Sequence, residues 1–172
     1  MKKFLILISI FFFCSLAYAI DVGDIDIQGN LSAEEMTYVS VQMDNGGIDQ
    51  SFNQSVETKL ILDEEIYDTL DEFNTSTYTF TAKNSGYYLV VSRVAFAVSA
   101  DGDTIRTILV HDGGNNRRTY SSASSGRNNS VVSSSIKWIL SGESIHLEAS
   151  NNTNNALIRD GDGTGMEIAR IF

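Results

Sequence analysis

The sequence predicts an all-β chain: a sandwich, a barrel or a jelly roll. Serine, threonine, asparagine and glycine crowd the gaps between short apolar segments. No segment repeats apolar residues at spacings of three and four over several turns. Eight or more segments instead alternate apolar and polar residues, the period of a strand with one face buried. Turn residues separate them, and spacing of this kind does not choose among the three architectures.

Residues 1–19 read as a secretory signal, with Lys2 and Lys3, an apolar run from Phe4 to Phe13, and Ala17-Tyr18-Ala19 as the cleavage site. The run is about half the roughly twenty residues that a spanning helix needs. The mature chain is therefore expected to start at Ile20, to have no membrane span, and to be secreted into an extracellular or periplasmic space. Cys14 lacks the small residues that precede a lipidated cysteine and is expected to leave with the signal. An exported domain without cysteine must be held by core burial, oligomerisation or metal. The remaining 153 of the 172 residues suit one domain, with about two thirds of its unfolded surface buried.

Twenty-two acidic residues face 12 basic ones, a formal charge of −10; loss of Lys2 and Lys3 leaves 10 basic residues and −12. No nucleic-acid partner is expected, because neutralising phosphates requires a basic face. Acidity of this kind serves solubility. Residues 20–37 form an acidic leader, with Asp21, Asp24, Asp26, Glu34 and Glu35 and no Lys or Arg, and with neither heptads nor a Gly-X-Y repeat.

From Tyr38, Val39, Val41 and Met43 share one face of a half-buried strand that Asn45-Gly46-Gly47 ends. Val56, Thr58, Leu60 and Leu62 share a face of the next, and a loop is expected from Asp63 to Phe73. Tyr78, Phe80 and Ala82 mark a third strand. Residues 87–98 are apolar on both faces: Tyr88, Val90, Ser92, Val94, Phe96 and Val98 on one, and Tyr87, Leu89, Val91, Arg93, Ala95 and Ala97 on the other. A sandwich strand normally leaves one face in water. The second face needs cover from a loop of the same chain or from a neighbouring subunit, and the pattern alone does not choose.

Asp101-Gly102-Asp103 predicts a hairpin turn into a strand over residues 105–111. A long polar loop follows to Arg127, with a short edge strand around Thr119-Tyr120. Val132, Ser134, Ile136, Trp138 and Leu140 alternate, Ser141-Gly142-Glu143-Ser144 turns, and Ile145, Leu147 and Ala149 return. This predicts a hairpin with Trp138 in the core. Residues 151–165 read as a second polar loop, and 166–172 as a final strand with Phe172 tied into a sheet.

Particular motifs narrow the architecture. Leu60-Ile61-Leu62-Asp63-Glu64-Glu65-Ile66-Tyr67-Asp68-Thr69, followed by Phe73-Asn74-Thr75 and Tyr78-Thr79-Phe80-Thr81-Ala82, resembles the N-terminal half of bacterial and phage complement component 1q-like domains. Ser85-Gly86-Tyr87-Tyr88-Leu89 resembles that family's glycine-x-tyrosine-x-aromatic signature. Trp138-Ile139-Leu140-Ser141-Gly142-Glu143-Ser144-Ile145 is similar to its leucine-x-x-glycine-acid turn, with Glu143 in place of the more usual aspartate, and Met166-Glu167-Ile168-Ala169-Arg170-Ile171-Phe172 to its closing strand. The resemblance spans residues 38–172, in the family's order, and points to the complement component 1q and tumour necrosis factor superfamily.

It implies an antiparallel two-sheet jelly-roll sandwich in which Tyr88 meets Phe80 between the sheets. It also implies three subunits around an axis, with neighbours covering Tyr87, Leu89, Val91, Arg93, Ala95 and Ala97. An Arg93 buried there would need a carboxylate or carbonyl partner. The implied function is a homotrimeric recognition or structural module that binds an unknown extracellular partner through its loops. A monomeric carbohydrate-binding sandwich is the alternative; it would show aromatics on a flat exposed face, and Tyr120 is the sole aromatic in the long loops after residue 98.

No catalytic constellation is visible. After signal removal there is no cysteine nucleophile, no G-x-S-x-G elbow and no phosphate-binding loop. His111, beside Asp112, reads as the start of a loop, and His146, between Ile145 and Leu147, as a solvated strand position. Asp160-Gly161-Asp162-Gly163 could offer oxygens to calcium, which animal relatives in the resembled family sometimes bind, but it lacks the further ligands of an EF-hand loop and reads as a turn. No other cofactor is expected. The exported protein should have an intact mass that begins at Ile20 and should react with no thiol reagent; a mass retaining residues 1–19 would overturn the secretion reading.

Overall fold

A computed structural model describes residues 36–51, 53–97, 102–112, 114, 116–122, 128–152 and 157–171. The expected signal, most of the leader, Asp101 and Phe172 lie outside them. Thr37, assigned to the leader, is already part of the fold: it is buried, and its carbonyl accepts the Arg170 N–H at 3.1 Å. Among the described residues the strands are β1 (Tyr38–Met43), β2 (Gln50–Ser51), β3 (Thr58–Lys59), β4 (Glu64–Asp68), β5 (Phe73–Asn74), β6 (Thr79–Thr81), β7 (Gly86–Ala97), β8 (Thr104–His111), β9 (Arg117–Ser122), β10 (Asn128–Ile139), β11 (Ser144–Asn151), β12 (Leu157–Ile158) and β13 (Gly161–Arg170).

They form two antiparallel sheets. In the first, β7 pairs along its whole length with β10 on one side; on the other it pairs with β13 and then β12, beyond which lie β1 and β2, with β4 outermost beside β1. The second runs β5-β6-β11-β8-β9, with β3 also on β11. Val39, Val41 and Met43 of β1, Tyr88, Val90, Val94 and Phe96 of β7 and Ile168 of β13 pack against Phe80, Ile105, Leu109, Ile145 and Leu147 of the facing sheet. This is the two-sheet sandwich expected. Tyr88 and Phe80 meet in its middle, ring centroids 5.7 Å apart at 65°, and the Tyr88 hydroxyl donates to the Asn84 carbonyl at 2.5 Å. Burial raises the phenol above its ordinary pKa.

Several local expectations fail for identifiable reasons. Residues 64–68 are not a loop but β4, whose Tyr67 stands opposite Ser40. Its side chains are largely exposed, so backbone hydrogen bonds rather than an apolar face make it a strand, and alternation cannot reveal it. Neither predicted hairpin forms: β7 and β8 lie in different sheets, as do β10 and β11. The turn after Leu140 is a passage between sheets. Gly142 takes φ +88 there and donates to the Ala82 carbonyl at 2.8 Å, while Ala82 donates to Glu143 at 3.1 Å. The final strand starts at Gly161 rather than Met166, and the edge strand expected near Thr119-Tyr120 is β9, paired with β8.

Trp138 is the largest correction. It is 52% exposed, and Val132, Ile136 and Leu140 are exposed too; the inward positions of β10 are Val131, Ser133, Ser135, Lys137 and Ile139. The ladder dictates this. Directly opposite residues of antiparallel strands share a face, and Lys137 pairs with Tyr88, which the core holds inside, while Trp138 pairs with Tyr87. The ends of that inward side, Val131 and Ile139, are buried in the core, while its middle looks toward β9, where polar residues are satisfied: Thr119 donates to Ser133 at 2.9 Å.

Two close approaches fix the far side of the first sheet. A Cβ on Gly165 would lie 2.7 Å from the Val41 carbonyl oxygen, at the place where the β1–β13 register slips. Asp160 ties the turn after β1 to the turn before β13: its carboxylate accepts the N–H of Asn45 at 2.7 Å and of Gly47 at 2.5 Å, while its own N–H donates to Asp49 at 3.1 Å. These backbone donors, Asn45 first, hold its carboxyl below the usual range.

Replacing Gly165 with Ala should destabilise the domain by about 1–3 kcal/mol, the usual result of forcing a methyl group into packed backbone; a loss below about 0.5 kcal/mol in urea titration would show that β1 and β13 separate freely. Asp160 has a folded pKa below its unfolded value, so its contribution is fully present above the unfolded value of 3.8 and is lost as pH falls through the folded one. Asp160→Asn should therefore weaken the protein at neutral pH and flatten its loss of stability below about pH 4; an unchanged acid-unfolding profile would refute this anchoring role.

Candidate functional site

The second face of β7 is largely open in the single chain. Tyr87 is 46% and Leu89 36% exposed, Arg93 is exposed and Val91 is half-buried. Ladder register extends this face across the sheet. Trp138, Ile136 and Val132 of β10 stand opposite Tyr87, Leu89 and Arg93, while Ala169, Glu167 and Gly165 of β13 stand opposite Leu89, Val91 and Arg93. Beyond them are Tyr38, Ser40 and Gln42 of β1, then Tyr67 of β4.

Aromatic pairs border the face at one end. Tyr87 and Trp138 meet edge-on, 5.0 Å apart at 71°, and Tyr38 and Tyr67 lie 5.6 Å apart at 50°. Leu89, Ile136 and Val132 supply aliphatic surface beside the first pair. At the other end a depression of about 250 Å³ is lined by Arg93, Glu167, Gln42, Val91, Val132 and Gly165, among others. The face is thus apolar at one end and charged at the other. A contiguous exposed patch of this kind on a single chain makes the face a candidate binding surface.

Ala95 and Ala97 do not belong to the open part. Ala95 is buried by its own chain: its N–H donates to the Thr164 hydroxyl at 3.2 Å, its carbonyl accepts from Arg159 at 2.9 Å, and a Cβ on Gly163 would come within 3.0 Å of it. Ala97 is half-buried between Asn128 and Leu157 in the ladders. For that end of β7, cover comes from the chain itself. Trp138, Ile136 and Val132 of β10, Tyr38 of β1 and Tyr67 of β4 are members that sequence reasoning missed. The β10 alternation contained the signal with its sign reversed, since its apolar side is the surface side.

The other candidates are structural. His111 is buried, not a loop residue: one ring nitrogen faces the Gly114 carbonyl and the other the Glu143 carboxylate, each at 3.1 Å. Glu143 also accepts the Leu140 N–H at 2.8 Å, and that bond, ahead of His111, holds its carboxyl below the ordinary range. His146 lies 3.0 Å from Glu148 on β11. In the suggested calcium loop, the Asp160 oxygens are engaged by the N–H groups of Asn45 and Gly47. Among the described residues no three His, Cys, Asp or Glu side chains gather as metal ligands. Among the same residues no helix is long and apolar enough to cross a membrane.

No family model matches the chain, and no curated protein matches it in sequence. Solved structures do. The globular domain of zebrafish complement 1qA protein superimposes with a TM-score of 0.57 at 16% identity, covering 79% of this chain and 98% of that one. Eiger TNF from S. frugiperda gives 0.60 at 13% identity, over 80% and 93% of the two chains. Murine APRIL gives 0.60 at 15%, over 79% and 99%. At such identities the likeness speaks for the fold and not for a ligand. With the sheet order and core already described, it establishes that the chain folds as a jelly roll of the complement 1q and tumour necrosis factor type.

Proposed function

We propose that this chain is an exported, non-enzymatic recognition or structural module that assembles as a homotrimer through the outer face of its first sheet and binds an extracellular partner through its loops. The observation that supports it most is the exposure of Tyr87, Leu89, Ile136 and Trp138 side by side in a single chain. Covering them removes apolar surface from water at roughly 25 cal/mol per Å². The family that the sequence motifs resemble packs three subunits around an axis, and a chain whose one cysteine lies in the expected signal gains from oligomerisation the burial that a disulfide-free sandwich lacks. Arg93 and Glu167 share the face one strand apart. In an assembly a neighbouring Glu167 can supply the carboxylate that a covered Arg93 requires.

One observation favours the carbohydrate-binding alternative: aromatics do stand on an exposed sheet face. Their geometry argues against it. A sugar platform offers a flat ring with hydrogen-bonding groups around it, whereas Trp138 and Tyr87 meet edge-on and are flanked by Leu89 and Ile136. Such a surface suits apolar side chains of another protein.

Sedimentation or light scattering at micromolar concentration should give three times the chain mass. Leu89→Asp, which puts a charge in the middle of the patch, should give a folded monomer, and Tyr120→Asp on the opposite sheet should leave the trimer intact. A monomeric wild type would overturn the assembly and favour the carbohydrate reading.

A further inference from the structure

The outer face of the second sheet, on the side of the sandwich away from the proposed interface, carries a pocket of about 320 Å³. This lies within the range of about 300–1,000 Å³ typical of small-molecule sites. Ladder register puts its floor on one side of the sheet: Ser150 of β11, Arg106 of β8 and Tyr120 of β9 stand in one row, and Thr104 lies two residues from Arg106. That side is the outward one, because Ile105 and Leu109 point into the core. Ser55 and Asn152 complete the lining. The Ser55 N–H donates to the Asn151 carbonyl at 2.8 Å, and the Asn152 side-chain oxygen accepts the Thr104 N–H at 2.9 Å. Ser55 takes φ +58, a left-handed conformation uncommon for a serine.

The lining selects a chemistry. It contains no aliphatic side chain, so it suits neither a lipid nor an apolar peptide. Its one charged residue is already paired: Arg106 Nη2 lies 2.9 Å from the Glu57 carboxylate and Nε donates to Ser150 at 2.9 Å, with the guanidinium 5.9 Å from the centre of the Tyr120 ring. Arg118 also reaches toward Glu57, at 3.7 Å, from outside the lining. A free anion therefore meets no unpaired charge in the pocket. Among the described residues no hydrogen bond uses the Ser55 or Thr104 hydroxyl or the Asn152 side-chain N–H, and Tyr120 is 59% exposed. An aromatic ring beside two hydroxyls and an amide matches a molecule with one C–H face and several hydroxyls that both donate and accept. A sugar ring has that character.

We infer that this pocket binds a neutral sugar ring of a glycan, with Tyr120 against its C–H face and Ser55, Thr104 and Asn152 on its hydroxyls. The inference gives a chemistry to the partner in the proposed recognition role and rests on that role, but not on the trimer, since every lining residue comes from one chain. It also differs in place from the carbohydrate alternative above, whose aromatics Tyr87 and Trp138 stand on the other sheet.

The test titrates the intact protein with the methyl β-glycosides of glucose, galactose and N-acetylglucosamine, with methyl β-glucuronide as the charged analogue and cyclohexanol as a ring without the hydroxyl pattern. Saturation-transfer NMR and calorimetry are read together, and sedimentation is run on the same samples. At least one neutral glycoside should bind saturably with one site per chain, cyclohexanol should not, and the glucuronide should gain nothing over the glucoside. Tyr120→Ala and Thr104→Val, both at exposed positions, should each weaken the bound glycoside about threefold to tenfold, the loss of one packed ring or one hydrogen bond. Tyr120→Phe should keep most of the affinity, and Leu89→Asp should bind as the wild type does. Binding of none of the three glycosides, binding that survives both pocket substitutions, binding lost in Trp138→Ala but not in Tyr120→Ala, or binding of the glucuronide alone would each overturn the inference. A monomeric wild type that binds through Tyr120 would overturn the trimer and leave the pocket standing.

Discussion

Burial of the Tyr88 ring against Phe80 sets which side of β7 faces inward, and the ladders of β7 pass that choice to the strands beside it. Side chains alternate along a strand, and directly opposite residues share a face. Once Tyr88 points inward, Lys137 must as well, and Trp138 must point out with Tyr87. A slip of one residue in either ladder would exchange the two sides. The aromatic pair on the surface, the inward Lys137 at the sheet edge and the exposed Leu89 all follow from that parity.

The remaining constraint is closure of the first sheet on its other side. There the β1–β13 register breaks at Gln42/Met43, and Gly165 lets the Val41 carbonyl approach closer than a side chain would permit. Asp160 binds the adjoining turns through backbone donors. Each device does part of what a disulfide does in disulfide-bonded domains. Arg93 and Glu167 line a shallow polar depression beside the apolar patch, so one face offers both apolar area and charges.

Only the middle of β10 departs from a core strand; Val131 and Ile139 at its ends are buried in the core. Ser133 and Ser135 look toward β9, where Thr119 donates to Ser133, and Lys137 lines a pocket between the sheets. Val132, Ile136 and Trp138 are left to the surface. A local rule is broken here without loss of packing elsewhere, and such breaks collect at functional positions.

The sequence by itself determined the class of the fold, because alternation of period two and frequent turn residues leave an antiparallel sandwich as a main outcome, and the ordered motifs around Tyr87-Tyr88, Ser141-Gly142 and Met166 pointed to the jelly roll. It also identified β7 as apolar on both faces, and with it Tyr87, Leu89, Val91 and Arg93. Only the tertiary structure decided what lies on either side of them. Trp138 was legible as part of an apolar row, but periodicity specifies which residues share a face and never which face is inside. Ala95 and Ala97 looked equivalent to Leu89 along the strand, yet contacts with Thr164, Gly163 and Leu157, distant in sequence, cover that end. Likewise Lys137 and Arg117 line one pocket although β10 and β9 belong to different sheets, and no spacing along the chain records that their edges meet.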